Sequence, residues 1–247
     1  MSQVQSIPWK RIVVEALAII ASILLAFAID AWWDDRRDRI AEQNYLGSLR
    51  QEIVEGINLA IDNIERRKDT IAAHEALIQQ IQGATRASES ELYELISYAS
   101  LPIQYIPPRS VFNDIVASGA TLLIRSDELR LALAEFDQGI RWLERTDDSS
   151  WSVWESRLQP LLEGRVPRVE RLRQGLRNSL RGDVPFGESL HKPDFDGVLA
   201  DPRFEDMLAE RWLRLQNGLN ALKGVNAMAE RIVGLIDVEL ESEKPSQ

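Results

Sequence analysis

Two histidines, no cysteine and a scatter of carboxylates are what this chain offers to chemistry. His74 and His191 stand far apart, neither has a histidine at metal-ligand spacing, and no thiolate is available, so a zinc-type cluster is excluded. A lone histidine without an orienting partner is ordinarily solvated, and both are expected to be so. The stretch DFDGVLADPRFED, residues 194–206, carries the acids and glycine of a calcium loop without its spacing. Gly197 directly follows Asp196, and no third ligand comes at the required step. Asp201 reads instead as a helix cap before Pro202. With no Gly-rich phosphate loop and no nucleophile elbow, no catalytic residue, cofactor or metal site is assigned, and an enzyme is not expected.

The ionisable residues that do carry information are Glu15 and Asp30, in VVEALAIIASILLAFAIDAWWDDRRDR, residues 13–39. From Ile12 to Ile29 Glu15 is the sole charge, and as a helix Val13–Trp33 covers roughly 31 Å, close to a bilayer's hydrocarbon core. Trp9 at one boundary and Trp32 and Trp33 at the other are placed as interfacial anchors. Ala26-Phe27-Ala28 has the form of a signal-processing site, but an acid inside the apolar run and a pattern unbroken through Asp30 favour an uncleaved anchor. Glu15, Ala18, Ser22, Ala26 and Asp30 fall on one stripe of small and polar residues, the face expected to contact another membrane helix. A snorkelling acid paired with Arg11 and a proton or ion path are the alternatives for Glu15.

Two further clusters have a plain reading and a sharp one. RVPRVERLRQGLRNSLR sets Arg165, Arg168, Arg171, Arg173, Arg177 and Arg181 around an apolar face of Val169, Leu172, Leu176 and Leu180. The sharp reading is a patch for anionic lipid or an acidic partner; the plain one is a bundle helix with a solvated basic face. Trp142, Trp151, Trp154 and Trp212 could line a ligand pocket, but aromatics at helical spacing are more often core.

Long helices must position these groups. A tail over 1–11 precedes the transmembrane helix over 12–33, and residues 34–247 read as a helical bundle. Its expected parts are a long helix over 34–82, shorter helices over 89–118, a long helix over 127–164, the basic amphipathic segment 165–181 and a last helix over 202–241. Apolar periodicity carries the span straight into the first of these, roughly 105 Å from Ile12 to Gln82. Ile57, Ile64, Ile71 and Ile78 step by seven, which admits a coiled coil between chains. Ser88 with Glu91 forms a capping box, Ser110 and Ser126 are caps, Gly119 ends a helix, and the prolines of 102–108 mark a loop. No segment alternates as a strand would, so the fold class is all-α. A net charge of −10 argues against nucleic acid as a partner.

The stretch from Glu15 through IIASILLAFAIDAWWDDRRDRIAEQNYLGSLRQEI resembles a family of bacterial single-span membrane proteins of unknown function. Glu15, Asp30, Trp33, Arg36, Leu46 and Leu49 match its pattern, and VFNDIVASGATLLIRSDELRLALAEFD and DPRFEDMLAERW resemble its later motifs. The resemblance implies a bacterial inner membrane and a bundle outside the cytoplasm, with no activity or catalytic residues to carry over. Lysine and arginine near the span leave the orientation open. The expected function is a membrane-anchored interaction or scaffold protein, its partner a second copy or another membrane protein. A ligand-sensing bundle signalling through a partner, its small molecule unknown, and an accessory subunit of an ion-driven complex are the alternatives.

Overall fold

The computed structural model describes residues 9–83, 86–175, 185 and 187–242, with side chains from Val13 onward. Every regular element among them is helical. Helix α1, Trp9–Ile81, runs 73 residues without interruption, roughly 110 Å. No proline falls inside it, and its two glycines, Gly47 and Gly56, are tolerated because tertiary packing rather than propensity holds most helices together.

Three long helices make the bundle: α1, α4 (Asp127–Val153) and α8 (Pro202–Ser242). Ion pairs fix their directions. Arg50, midway along α1, reaches Asp237 late in α8, while Trp212 early in α8 donates to Glu75 near the C-terminal end of α1, so α1 and α8 are antiparallel. Arg125, just ahead of α4, meets Glu42, and Asp147 meets Arg67, so α1 and α4 run parallel. Short elements close the ends: α2 (Glu89–Ala99), α3 (Ser110–Ser118), α5 (Gln159–Leu162), α6 (Arg168–Glu170) and α7 (Phe195–Leu199). The extended residues 101–109 descend between α1 and α4 from α2 to α3. Two π-helical turns, Trp154–Leu158 and Arg171–Gly175, interrupt the second half.

The apolar interior is divided. One cluster joins Leu46, Leu49 and Ile53 to Phe112, Leu133, Phe136, Leu222 and Ile236. A second joins Leu77 to Tyr93, Ile96, Leu158, Phe195 and Phe204 at the other end. A small third group, Ile71, Ile103, Leu215 and Leu219, lies between them.

Local signals act as their chemistry dictates at several ends. Ser88 and Glu91 form a reciprocal capping box, Ser126 accepts from the Leu129 N–H, and Gly119 takes a left-handed φ of 75° at the end of α3. Asp201 accepts from the Arg203 N–H at the start of α8. Ser110 corrects its expectation: it is the first helical residue, and its hydroxyl donates to Glu52 of α1 at 2.9 Å. The Glu52 carboxylate also accepts the Val111 and Phe112 N–H groups at 2.7 and 2.9 Å, so the cap comes from another helix. The expected 127–164 helix is likewise modified, because α4 passes into a π turn six residues before Pro160. That turn realigns the chain before it ends at Gly164, φ 72°.

Candidate functional site

Helix α1 holds two surfaces of opposite character. From Val13 to Asp38 every side chain is exposed, Leu24 at 63% and Phe27 at 67%, although this is the most apolar stretch of the chain. It is a helix long and apolar enough to cross a membrane, and its apolar window has no part buried within the molecule. At about 100° per residue, Glu15, Ala18, Ser22, Ala26 and Asp30 lie within an arc of about 120°. The Ser22 hydroxyl donates to the Ala18 carbonyl at 2.8 Å, which satisfies the polar atom within the helix and leaves the stripe narrow. Trp32 and Trp33 meet edge to face with centroids 5.1 Å apart, both more than half exposed. The Trp9 side chain lies outside the described residues. Beyond the tryptophans Asp34 pairs with Arg37, and Asp35 reaches across to Arg125 at the foot of α4. The Arg125 N–H also donates to the buried Glu42 carboxylate at 2.7 Å, tying the bundle to the point where α1 leaves it.

From Glu42 the helix is buried along a strict three-four step. Glu42, Leu46, Leu49, Ile53, Gly56, Ala60, Asn63, Arg67, Thr70, His74 and Leu77 are all buried. The isoleucines at 57, 64 and 78 sit one position off this seam and are half-buried, while Ile71 joins the third cluster. All four pack at least partly against the chain's own helices.

The middle of the seam is polar. Arg67, 1% exposed, meets Asp147, 3% exposed, through two parallel bonds of 2.8 and 2.7 Å. Asn63 accepts from Arg67 Nε at 2.8 Å and donates to the Gln104 carbonyl, while Asp147 takes the Tyr105 N–H at 3.1 Å. A bidentate guanidinium–carboxylate pair with its remaining groups satisfied is the form in which buried charge is tolerated. Gly218 of α8 faces it so closely that a Cβ there would stand 2.5 Å from Arg67 Nη1. Two turns beyond Arg67, His74 is fully buried rather than solvated, correcting its expectation: Nδ1 lies 2.7 Å from the Thr70 carbonyl and Nε2 has no hydrogen-bond partner among the described residues. Burial, and then the nearby Arg211 cation, pull its pKa down to about 3. Arg211 itself forks onto the carbonyls of Ala99 and Leu101, which fixes α8 to the end of α2. Burial lowers its pKa to about 9.

The basic segment does not form one solvated helical face. Gly164 breaks the chain before it and Pro167 within it, and only Arg168–Glu170 and the following π turn are helical among the described residues. Arg165 is bound to Asp194 and Asp201 at 3.3 and 3.1 Å, and Arg173 to Glu170 at 3.1 Å. Arg171 is 6% exposed, Arg168 faces solvent, and Arg177 and Arg181 lie outside the described residues. The tryptophans are also corrected as core: Trp142 is 59% exposed, and Trp151, Trp154 and Trp212 are half-buried with an edge toward water.

The sequence reasoning missed Asn63, Arg67, Thr70 and His74. The signal was present, because extending the Leu46, Leu49, Ile53 step along the helix places all four on the buried line. Among the described residues no group of three His, Asp or Glu side chains is placed to hold a metal. No family model matches this chain, and no match is found among the curated proteins or the solved structures.

Proposed function

We propose that this chain is a single-pass protein of a bacterial inner membrane that works by association. Its span would contact a second copy or another membrane protein through Glu15, Ala18, Ser22, Ala26 and Asp30. The observation that carries this is the continuity of α1. One helix is bare and apolar over its first half, then becomes a central stave of the bundle with no break between. Twelve large apolar side chains exposed between Val13 and Trp33 are incompatible with water at this density, and a bilayer removes the cost. A stripe of small residues lets two helices approach closely in lipid, where dispersion replaces the hydrophobic effect as the driving force. Because α1 is rigid, rotation or tilt of the span would reach the bundle directly. The resemblance to bacterial single-span proteins supports the inner membrane and a bundle outside the cytoplasm.

Crosslinking in native membranes tests the proposal. Ala18→Ile and Ser22→Ile are expected to reduce the crosslinked product several-fold, while Leu17→Ile, off the stripe, leaves it intact. Unchanged crosslinking in both stripe variants overturns the contact face. A reporter fused to each terminus reads the orientation, and a signal from the bundle side in the cytoplasm overturns the topology.

A further inference from the structure

The turn joining α3 to α4 carries a large apolar side chain that the bundle leaves uncovered. Leu122 is 85% exposed, whereas Ala120 and Ile124 on either side of it are buried in the first apolar cluster. The turn around it is well bonded. Gly119 reverses the chain in its left-handed conformation, and Ala120–Leu122 form a 3₁₀ turn. The Leu122 and Leu123 N–H groups donate to the Gly119 and Ala120 carbonyls, each at 3.0 Å, and the Ile124 N–H to the Thr121 carbonyl at 3.3 Å. Backbone donors answered within the turn lower the cost of taking it out of water. Val116, in the last turn of α3, is also exposed.

An isolated exposed leucine is common on protein surfaces; what distinguishes Leu122 is its height above the span. Helix α3 starts beside Glu52, whose carboxylate caps it, and the chain then reaches Arg125 beside Glu42, ten residues nearer the span. The Arg125 N–H donates to Glu42 at 2.7 Å, and its guanidinium reaches Asp35. At about 1.5 Å per residue, Asp35 and Glu42 stand roughly 3 and 14 Å past Trp33. Interfacial tryptophans mark the headgroup level, and that layer is roughly 5–8 Å deep on each side of the hydrocarbon. The turn is therefore held at the edge of the headgroup layer. It covers one side of α1 only: Asp35 and Glu42 lie about 160–180° around the helix from the middle of the Glu15–Asp30 stripe.

We infer that the Leu122 turn inserts into the lipid headgroup layer and gives the bundle a second foothold on the bilayer. This rests on the reading of Val13–Trp33 as a span, and it is independent of whether the span associates. The insertion is apolar rather than electrostatic, because residues 34–39 carry three aspartates against three arginines and offer no net charge to anionic lipid. Two points of attachment fix the rotation of α1 about its own axis. The bundle leans on one face of the helix, and the stripe of small residues faces the opposite way, open to a partner.

The chain has no cysteine, so one introduced cysteine carries a nitroxide label without background. The full chain in phosphatidylcholine vesicles is labelled at Phe27→Cys, Leu122→Cys or Ile106→Cys. Electron paramagnetic resonance then reads collisions with oxygen, which favours lipid, and with a nickel chelate, which stays in water. Ile106 is 81% exposed and lies two residues from Gln104, whose carbonyl meets Asn63, roughly 45 Å past Trp33; it is the aqueous reference. The oxygen-to-nickel ratio at Leu122→Cys is expected several-fold above that at Ile106→Cys and below that at Phe27→Cys. A ratio at Leu122→Cys equal to the aqueous reference, with Phe27→Cys still high, overturns the foothold and leaves the span standing. A low ratio at all three positions overturns both. Few collisions with either reagent at Leu122→Cys mark cover by protein, a second copy or another chain, and overturn the lipid contact. If Leu122→Cys does not fold, Val116→Cys takes its place under the same criteria.

Discussion

Helix α1 is most apolar where it touches nothing and buries polar side chains where it joins the bundle. Its first half exposes Leu24, Leu25 and Phe27; its second half buries Asn63, Arg67, Thr70 and His74. One solvent cannot account for both halves. In the bundle, buried charge is tolerated where it is paired, as in the Arg67–Asp147 bonds of 2.8 and 2.7 Å. In the span the exposed side chains are overwhelmingly apolar and match a hydrocarbon surrounding instead. The contrast teaches that burial alone does not tell inside from outside in this chain. What decides is whether a residue's polar groups are answered.

The contrast can be broken most sharply in the seam. Arg67→Ala leaves the 3% exposed Asp147 without its cation, and a loss of about 3–5 kcal/mol is expected in chemical denaturation of the full chain. Arg67→Met combined with Asp147→Leu should recover much of that loss, because it removes both charges together. A single-variant loss below about 1 kcal/mol would mean that the pair is not the junction between the two apolar clusters. In the span, Leu24→Arg places a charge near the centre of the apolar run. Such a charge costs insertion about 2.5–3.5 kcal/mol, so the membrane fraction should fall while the helical content of the bundle persists. Undiminished membrane integration would count against a bilayer around this half.

The smallest expected effect is the pH response of the seam. His74 has its folded pKa depressed from 6.5 to about 3, chiefly by burial. Between those values the unfolded chain binds a proton that the folded one refuses, so stability rises with pH across that window. Its contribution is complete above the unfolded value and declines as pH falls toward the folded one. From pH 8 to pH 5 the loss from this residue is about 2 kcal/mol, and His74→Gln should flatten that part of the curve. An unchanged slope in His74→Gln would show that the ring is not held neutral in the fold.

Much of the architecture could be read from one-dimensional signals because those signals are local. The capping box at Ser88–Glu91, the Ser126 cap and the Gly119 terminus depend on residues within one turn of each other. Asp201 before Pro202 works the same way. Ser110 misled because its partner, Glu52, is 58 residues away, and no local pattern announces a carboxylate arriving from another helix. The isoleucine heptad lies beside the buried seam rather than on it for a related reason. Hydrophobicity marked Ile57, Ile64 and Ile78, whereas the buried line one residue away carries Gly56, Asn63 and Arg67. Their burial follows from what they meet, namely Tyr105, Gln104 and Asp147.

By itself the sequence determined the all-α class, the long uninterrupted first helix and the apolar half with its tryptophans. Those follow from composition and period, which act within a single element. Tertiary structure alone decided which polar residues are buried and which arginines meet an acid, like Arg67, or backbone carbonyls, like Arg211. Those outcomes rest on distances between segments far apart in the chain, where one carboxylate more or less changes a buried charge from satisfied to unpaired.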